Sequence, residues 1–273
     1  MALPEPRDGS TALVTGASSG IGAEFARGLA RRGHRVALVA RRRDRLEELA
    51  EAIGREHGVL ADVIPADLAE AAERDRLAAE LEGRGLTVEV LVNNAGFGIY
   101  VPFTESDRER ELKQVRLLVE AVVDLDARYL PGMVARGRGA IVNVSSTAGF
   151  QPLPGNGTYA AGKSFVLYHT EALHEELRGT GVTATAVCPG PVSTGFQEAS
   201  EPLFADKLPK FVWSEPDRVA EESLKAVERG SRTFVPGGLA VRAMFGPNRM
   251  APARVALPVA RRMMSRELSR ERS

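Results

Sequence analysis

The sequence predicts an α/β protein organised as a doubly wound parallel sheet, and three observations carry that expectation. Short apolar runs alternate with longer amphipathic stretches from Thr11 to Cys188, the pattern of strands joined by helical crossovers. The first apolar run feeds directly into a glycine-rich loop, Gly16-Ala17-Ser18-Ser19-Gly20-Ile21-Gly22, that opens a helix. No internal repeat, low-complexity segment or linker divides this stretch, so the 273 residues read as one domain with a sizeable core.

The elements follow in order. Residues 11–15 form a buried strand, and Ile21, Phe25, Leu29 and Ala30 give the next helix its apolar side before Gly33 closes it. Strands are expected at 35–40, 60–66, 89–93, 140–145 and 182–188, with helices at 42–56, 71–82, 107–136 and 157–179. Crossovers between such parallel strands are right-handed.

Composition narrows the function classes. Forty-four per cent hydrophobic and 26% charged residues are ordinary for a soluble globular chain. The formal net charge of zero gives no global field to attract nucleic acid. One cysteine, Cys188, excludes an internal disulfide or a cysteine metal cluster. The first residues lack the apolar core of a secretory signal, and no run of about 18 apolar residues exists. A cytoplasmic location is the expectation.

A strand-to-helix turn with three glycines suits a phosphate. Gly16 permits the tight turn, Gly20 lets the backbone approach the ligand, and Gly22 allows close packing of helix on strand. Amides at the helix start then face a pyrophosphate. Read alone, the same loop is simply a flexible turn. Further on, Tyr159 and Lys163 stand four apart on one helical face, with Ser146 in the loop before them. An ammonium beside a phenol favours the phenolate and should lower the tyrosine pKa from about 10. Such a group exchanges protons near neutral pH, as interconversion of an alcohol and a carbonyl requires.

Taken together, Thr15-Gly16-x3-Gly20-Ile21-Gly22, Asn93-Asn94-Ala95-Gly96, Ser146, Tyr159-x3-Lys163 and Pro189-Gly190 resemble the motifs of the short-chain dehydrogenase/reductase family in order and spacing. The resemblance implies a Rossmann-like sheet of about seven parallel strands binding a nicotinamide dinucleotide. It implies that Gly16, Ser18, Gly20, Ile21 and Gly22 line the pyrophosphate. Asp67 and Leu68 would flank the adenine, and Asn93, Ala95 and Gly96 the ribose. Pro189, Gly190, Val192 and Thr194 would meet the nicotinamide end. Tyr159 would be the general acid/base, Ser146 would bond the substrate oxygen, and Lys163 would lower the tyrosine pKa and anchor the ribose. The second strand ends without an acidic residue, and Arg41 follows. Arginine there accommodates a 2′-phosphate, so NADP(H) is expected over NAD(H).

Two positions depart from the family pattern. The family's usual asparagine, which helps hold a proton-relay water, falls on Leu118. Gly162 stands where serine or alanine usually precedes the lysine. These departures leave open a second reading, a cofactor-binding protein with weak or no turnover, acting as a sensor or assembly partner. Residues 194–216 would cap the substrate, and Phe196, Leu203, Phe204, Leu208, Phe211 and Trp213 suit a hydrophobic ketone or aldehyde. The core domain spans 1–235. Residues 236–273 form a basic amphipathic extension, read as packing or assembly surface with peripheral membrane contact as the alternative. The resemblance also implies a homodimer or homotetramer.

Overall fold

The computed structural model describes residues 3–193, 212–245 and 257. Thr194, most of the expected substrate cap and nearly all of the residues after Phe245 lie outside the described residues. Seven strands form one parallel sheet in the order β3-β2-β1-β4-β5-β6-β7. They are β1 Ser10–Thr15, β2 Val36–Ala40, β3 Ala61–Pro65, β4 Thr87–Asn93, β5 Gly139–Val144, β6 Val182–Val187 and β7 Thr233–Phe234. The helices are α1 Gly20–Arg31, α2 Arg43–His57, α3 Ala71–Gly83, α4 Arg108–Val115, α5 Ala121–Ala135, α6 Gly157–Glu176, α7 Pro216–Glu228 and α8 Gly238–Phe245. The six strands read from the sequence are present, with ends that differ by a few residues. The two-residue β7 is too short to leave a periodic signal.

Strand residues alternate between two apolar layers, as a period of two requires. Val14, Leu38, Val90 and Val142 pack with Phe25, Leu29, Leu46 and Leu224 on one face. Leu13, Val39, Leu91 and Ile141 pack with Leu77, Leu81 and Leu125 on the other. The strand order reverses between β1 and β4, and such a switch point leaves a crevice outside the carboxyl ends of the strands.

The expected long helix at 107–136 is interrupted. Between α4 and α5, Arg116–Glu120 forms a single wide π turn, and the Ala121 amide reaches back to the Arg116 carbonyl. Such insertions commonly mark functional positions. Arg74, almost fully buried, fastens this region to α3. Its guanidinium donates to Asp124 and Glu120, both at 2.5 Å, and to the Leu68 carbonyl at 2.9 Å.

A buried polar network joins the sheet to α5 and α6. The Asn93 amide donates to Asp126 Oδ1 (2.9 Å) and Asn143 Oδ1 (2.8 Å). The Asn143 amide donates to Asp126 Oδ2 (2.9 Å) and Thr170 Oγ1 (3.0 Å). This corrects the expectation for Asn93. Its side chain is committed to the core network and does not border the ribose site.

Candidate active site

The segments that follow strands β1 to β6 build the crevice. The first is the glycine loop after β1. Gly16 adopts φ +68°, and a Cβ there would stand 2.8 Å from Asn94 Nδ2 and 2.9 Å from the Ala95 Cα. A Cβ on Gly22 would lie 2.3 Å from the Gly16 carbonyl oxygen, so the loop closes on α1 only with glycine. Asn94 holds the turn from the neighbouring strand end, donating to the Thr15 carbonyl at 3.0 Å. Thr15 Oγ1 in turn accepts from the Asn94 and Ala95 amides at 2.9 and 3.1 Å. Consecutive strand-end residues point to opposite sides, which is why Asn93 enters the core and Asn94 braces the loop. Ser19, at the N-cap of α1, makes no side-chain cap bond. The amides of that first turn are therefore left for an anion. These features fit the pyrophosphate of a dinucleotide.

The end of β2 carries the charge. Burial raises the Asp67 pKa, but the bond from Lys113, the Ala69 amide, and the charges of Lys113 and, last, of the exposed Arg41 hold that carboxyl below its ordinary value. Sequence reasoning missed Arg42. Its guanidinium donates to Ser18 Oγ at 3.2 Å and Ser19 Oγ at 3.1 Å, placing a second cation directly on the glycine loop. The run Arg41-Arg42-Arg43 was the available signal, but only the backbone turn after β2 shows which of the three folds back. Asp67 is also more engaged than expected. Its Oδ2 receives Lys113 Nζ at 2.7 Å and its Oδ1 the Ala69 amide at 3.2 Å. Leu68 packs its side chain into the core layer and does not flank the adenine position with it.

Across the crevice stand Ser146, Tyr159 and Lys163. Ser146, two residues past β5, N-caps a short 3₁₀ turn, Thr147–Phe150, its Oγ accepting from the Ala148 amide at 3.1 Å. It also donates to the Pro189 carbonyl at 3.4 Å, which ties the 189–192 loop to the same place. Its hydroxyl hydrogen-bonds Tyr159. Ser145 has a different task, donating to the Lys163 carbonyl at 2.6 Å. Gly149 lets the 3₁₀ turn press on α6, where a Cβ would lie 2.7 Å from the Lys163 carbonyl carbon. Lys163 donates to the Val144 carbonyl at 2.7 Å, and its Nζ lies 5.7 Å from the Tyr159 ring centroid.

The electrostatics correct one expectation. Burial, with the neighbouring Tyr100 phenol, pushes the Tyr159 pKa up against the Ser146 hydrogen bond. The Lys163 ammonium, 5.7 Å from the ring centroid, does not reverse that rise. Instead burial lowers Lys163 itself, from 10.5 to about 8.

Leu118 lies beside Gly96 and the α6 turn that carries Lys163. It is 1% exposed. It meets Gly96, where a Cβ would stand 2.8 Å from Leu118 Cδ2, and Gly162, where a Cβ would stand 3.3 Å from Leu118 Cβ and Cδ1. The two departures from the family pattern are thus one contact. Gln114, one turn earlier, is fully buried, donates to the Phe97 carbonyl at 2.9 Å, and leaves its Oε1 unpartnered.

A parallel sheet with a dinucleotide loop at its switch point and a Ser–Tyr–Lys cluster across the crevice defines a nicotinamide-dependent oxidoreductase working on CH–OH and carbonyl groups. The family model described as short chain dehydrogenase matches residues 10–202, and the chain belongs to that family. A very-long-chain 3-oxoacyl-CoA reductase of Anas platyrhynchos is 37% identical over 210 residues, 75% of this chain and 67% of that protein. A short-chain dehydrogenase from Sphingobium yanoikuyae, solved in complex with NADPH, has TM-score 0.77 and 32% identity, with 94% of each chain covered. The bulky-bulky ketone specific alcohol dehydrogenase from Comamonas testosteroni has TM-score 0.75 and 31% identity, with 95% of each chain covered.

The buried lysine makes stability depend on pH. Its folded-state pKa of about 8 lies below the ordinary 10.5, so between these values the unfolded chain binds more protons and stability rises with pH. Below pH 8 the cost of burying the ammonium is fully present. Lys163→Met is expected to resist urea better than wild type at pH 7, with the difference shrinking steadily between pH 8 and 10.5. A difference that stays constant across that window would mean Lys163 does not titrate there.

Proposed function

We propose that the protein is an NADP(H)-dependent reductase of hydrophobic ketones or aldehydes, with Tyr159 as the general acid. One observation carries this reading: Ser146, Tyr159 and Lys163 converge across the crevice from an uncapped glycine-loop helix. A bound nicotinamide would supply the hydride. Gly16, Gly20, Ile21 and Gly22 would receive its pyrophosphate at the start of α1, with Pro189, Gly190 and Val192 toward the nicotinamide end. Ser146 orients the substrate oxygen. Tyr159, kept protonated by its burial, gives its phenolic proton to that oxygen as the alcohol forms. The charged Lys163 stabilises the phenolate that this transfer leaves, so reduction should weaken as pH rises past about 8, where Lys163 loses its proton. Arg41 and Arg42 favour a 2′-phosphate, and the Sphingobium yanoikuyae relative, bound to NADPH, supports the same preference.

The test is NADPH and NADH oxidation against a panel of hydrophobic ketones and aldehydes. Turnover with NADPH is expected, with a loss of about a hundredfold or more in Tyr159→Phe. Arg41→Asp should raise the NADPH Michaelis constant at least about tenfold, the equivalent of about 1.4 kcal/mol, and narrow the gap to NADH. Equal use of both cofactors, with NADPH affinity unchanged in Arg41→Asp, would refute the cofactor assignment.

The Leu118 position bears on rate. Leucine has no side-chain hydrogen bond to offer a relay water, and we propose that turnover is reduced relative to relatives with asparagine there. Leu118→Asn should raise kcat, and no gain would count against the role assigned to this position. The weak-turnover reading is favoured only by this residue, whereas the three retained catalytic groups speak for chemistry.

Assembly is the remaining part of the proposal. Val123 on α5 and Phe165 and Tyr168 on α6 are exposed apolar side chains, and a second copy of the chain would cover them. Light scattering should give a dimer or larger mass, and Tyr168→Glu should lower it. A monomer at micromolar concentration would contradict this.

A further inference from the structure

The chain leaves β2 and β3 side by side. Ala40 stands opposite Pro65 in the parallel register, and the Ala66 amide donates to the Ala40 carbonyl at 3.0 Å. Arg41 and Asp67 are each the next residue along, so a guanidinium and a carboxylate start from neighbouring strands about 4.8 Å apart. Left to themselves the two would pair, and Arg41 would be occupied. Lys113 prevents this. It reaches across from α4, and its Nζ donates to Asp67 Oδ2 at 2.7 Å while the Ala69 amide donates to Oδ1 at 3.2 Å. Glu73, in the first turn of α3, is bonded by Arg76 at 2.8 and 3.2 Å. Arg42 bonds hydroxyls of the glycine loop and no carboxylate. Among the described residues Arg41 and Arg42 form no salt bridge.

Two cations are thus kept open at the end of β2 because the acid beside them is neutralised from another element. We infer that Lys113 sets the cofactor preference through Asp67: it keeps Arg41 available to a 2′-phosphate and cancels a negative charge that would repel that group. Like charges brought together disfavour a partner as strongly as opposite charges favour it. A cofactor with a hydroxyl in place of the 2′-phosphate gains nothing from this arrangement. Lys113 lies outside the glycine loop and the end of β2, and it acts as a positioning residue. The Lys113 and Asp67 side chains are 36% and 26% exposed, so solvent screens the pair and the effect is moderate. This inference rests on the NADP(H) reading and adds to it a residue of α4.

The experiment titrates NADPH and NADH into each protein and reads the fluorescence of the reduced nicotinamide, so no substrate is needed. Lys113→Met should weaken NADPH binding about three- to fivefold, the range of a partly exposed ion pair, and leave NADH within about twofold. Lys113→Arg should keep the wild-type ratio of the two affinities. Adding Asp67→Asn to Lys113→Met should restore that ratio, whatever the change does to both affinities together. The loss in Lys113→Met should also fade in about 1 M salt, where charges are screened beyond about 3 Å. Equal weakening of both cofactors, a loss that salt does not diminish, or a ratio that Asp67→Asn does not restore would show only support of the fold and overturn the inference. A ratio unmoved in Lys113→Met, with wild type still preferring NADPH, would overturn it and leave the cofactor reading standing. A wild type that binds the two cofactors equally would remove both.

Discussion

The site depends on a two-way grip between Lys163 and the end of β5. The lysine's own carbonyl accepts from Ser145, and its ammonium donates to the carbonyl of Val144. One residue of α6 thereby holds two consecutive residues of the strand, and the 3₁₀ turn that follows is pressed onto the helix at the same point. Ser146 and Tyr159 meet because this clamp fixes the angle and the height of α6. A change at Lys163 therefore affects geometry and charge together.

Behind the clamp, the paired asparagines after β4 divide the labour. Asn93 turns into the polar network with Asp126, Asn143 and Thr170, which locks α5 and α6 to the sheet. Asn94 turns the other way and braces the glycine loop. Neither arrangement tolerates the other's partner, because each amide sits where only its own set of donors and acceptors is available. The π turn and Leu118 complete this wall of the crevice. Gly162 leaves room for the leucine, and Arg74 holds the turn against α3.

Much of this was legible in the sequence. The order of strands and helices followed from apolar alternation, and the spacing of Ser146, Tyr159 and Lys163 was enough to expect their convergence. The side-chain directions were not legible. Asn93 and Leu68 sit within the right motifs, yet their side chains enter the core, because orientation at a strand end depends on the register of the neighbouring strands. Arg42 was hidden among three consecutive arginines. The raised Tyr159 pKa was invisible for a different reason: spacing reveals that a lysine is near, but only burial decides whether its charge outweighs desolvation.

The bridge between Val192 and Ser214 ties the loop after β6 to the approach to α7. It brings the chain back beside itself, with Ser193 and Ser214 bonded through their backbones at 3.1 Å, before α7 begins. The Pro191 carbonyl accepts from the Ser214 amide, and the Pro189 carbonyl two residues earlier accepts from the Thr147 amide and the Ser146 hydroxyl. The start of α7 and the turn that carries Ser146 are thus tied through one short stretch of backbone, so a displacement at Ser214 is passed on to Ser146.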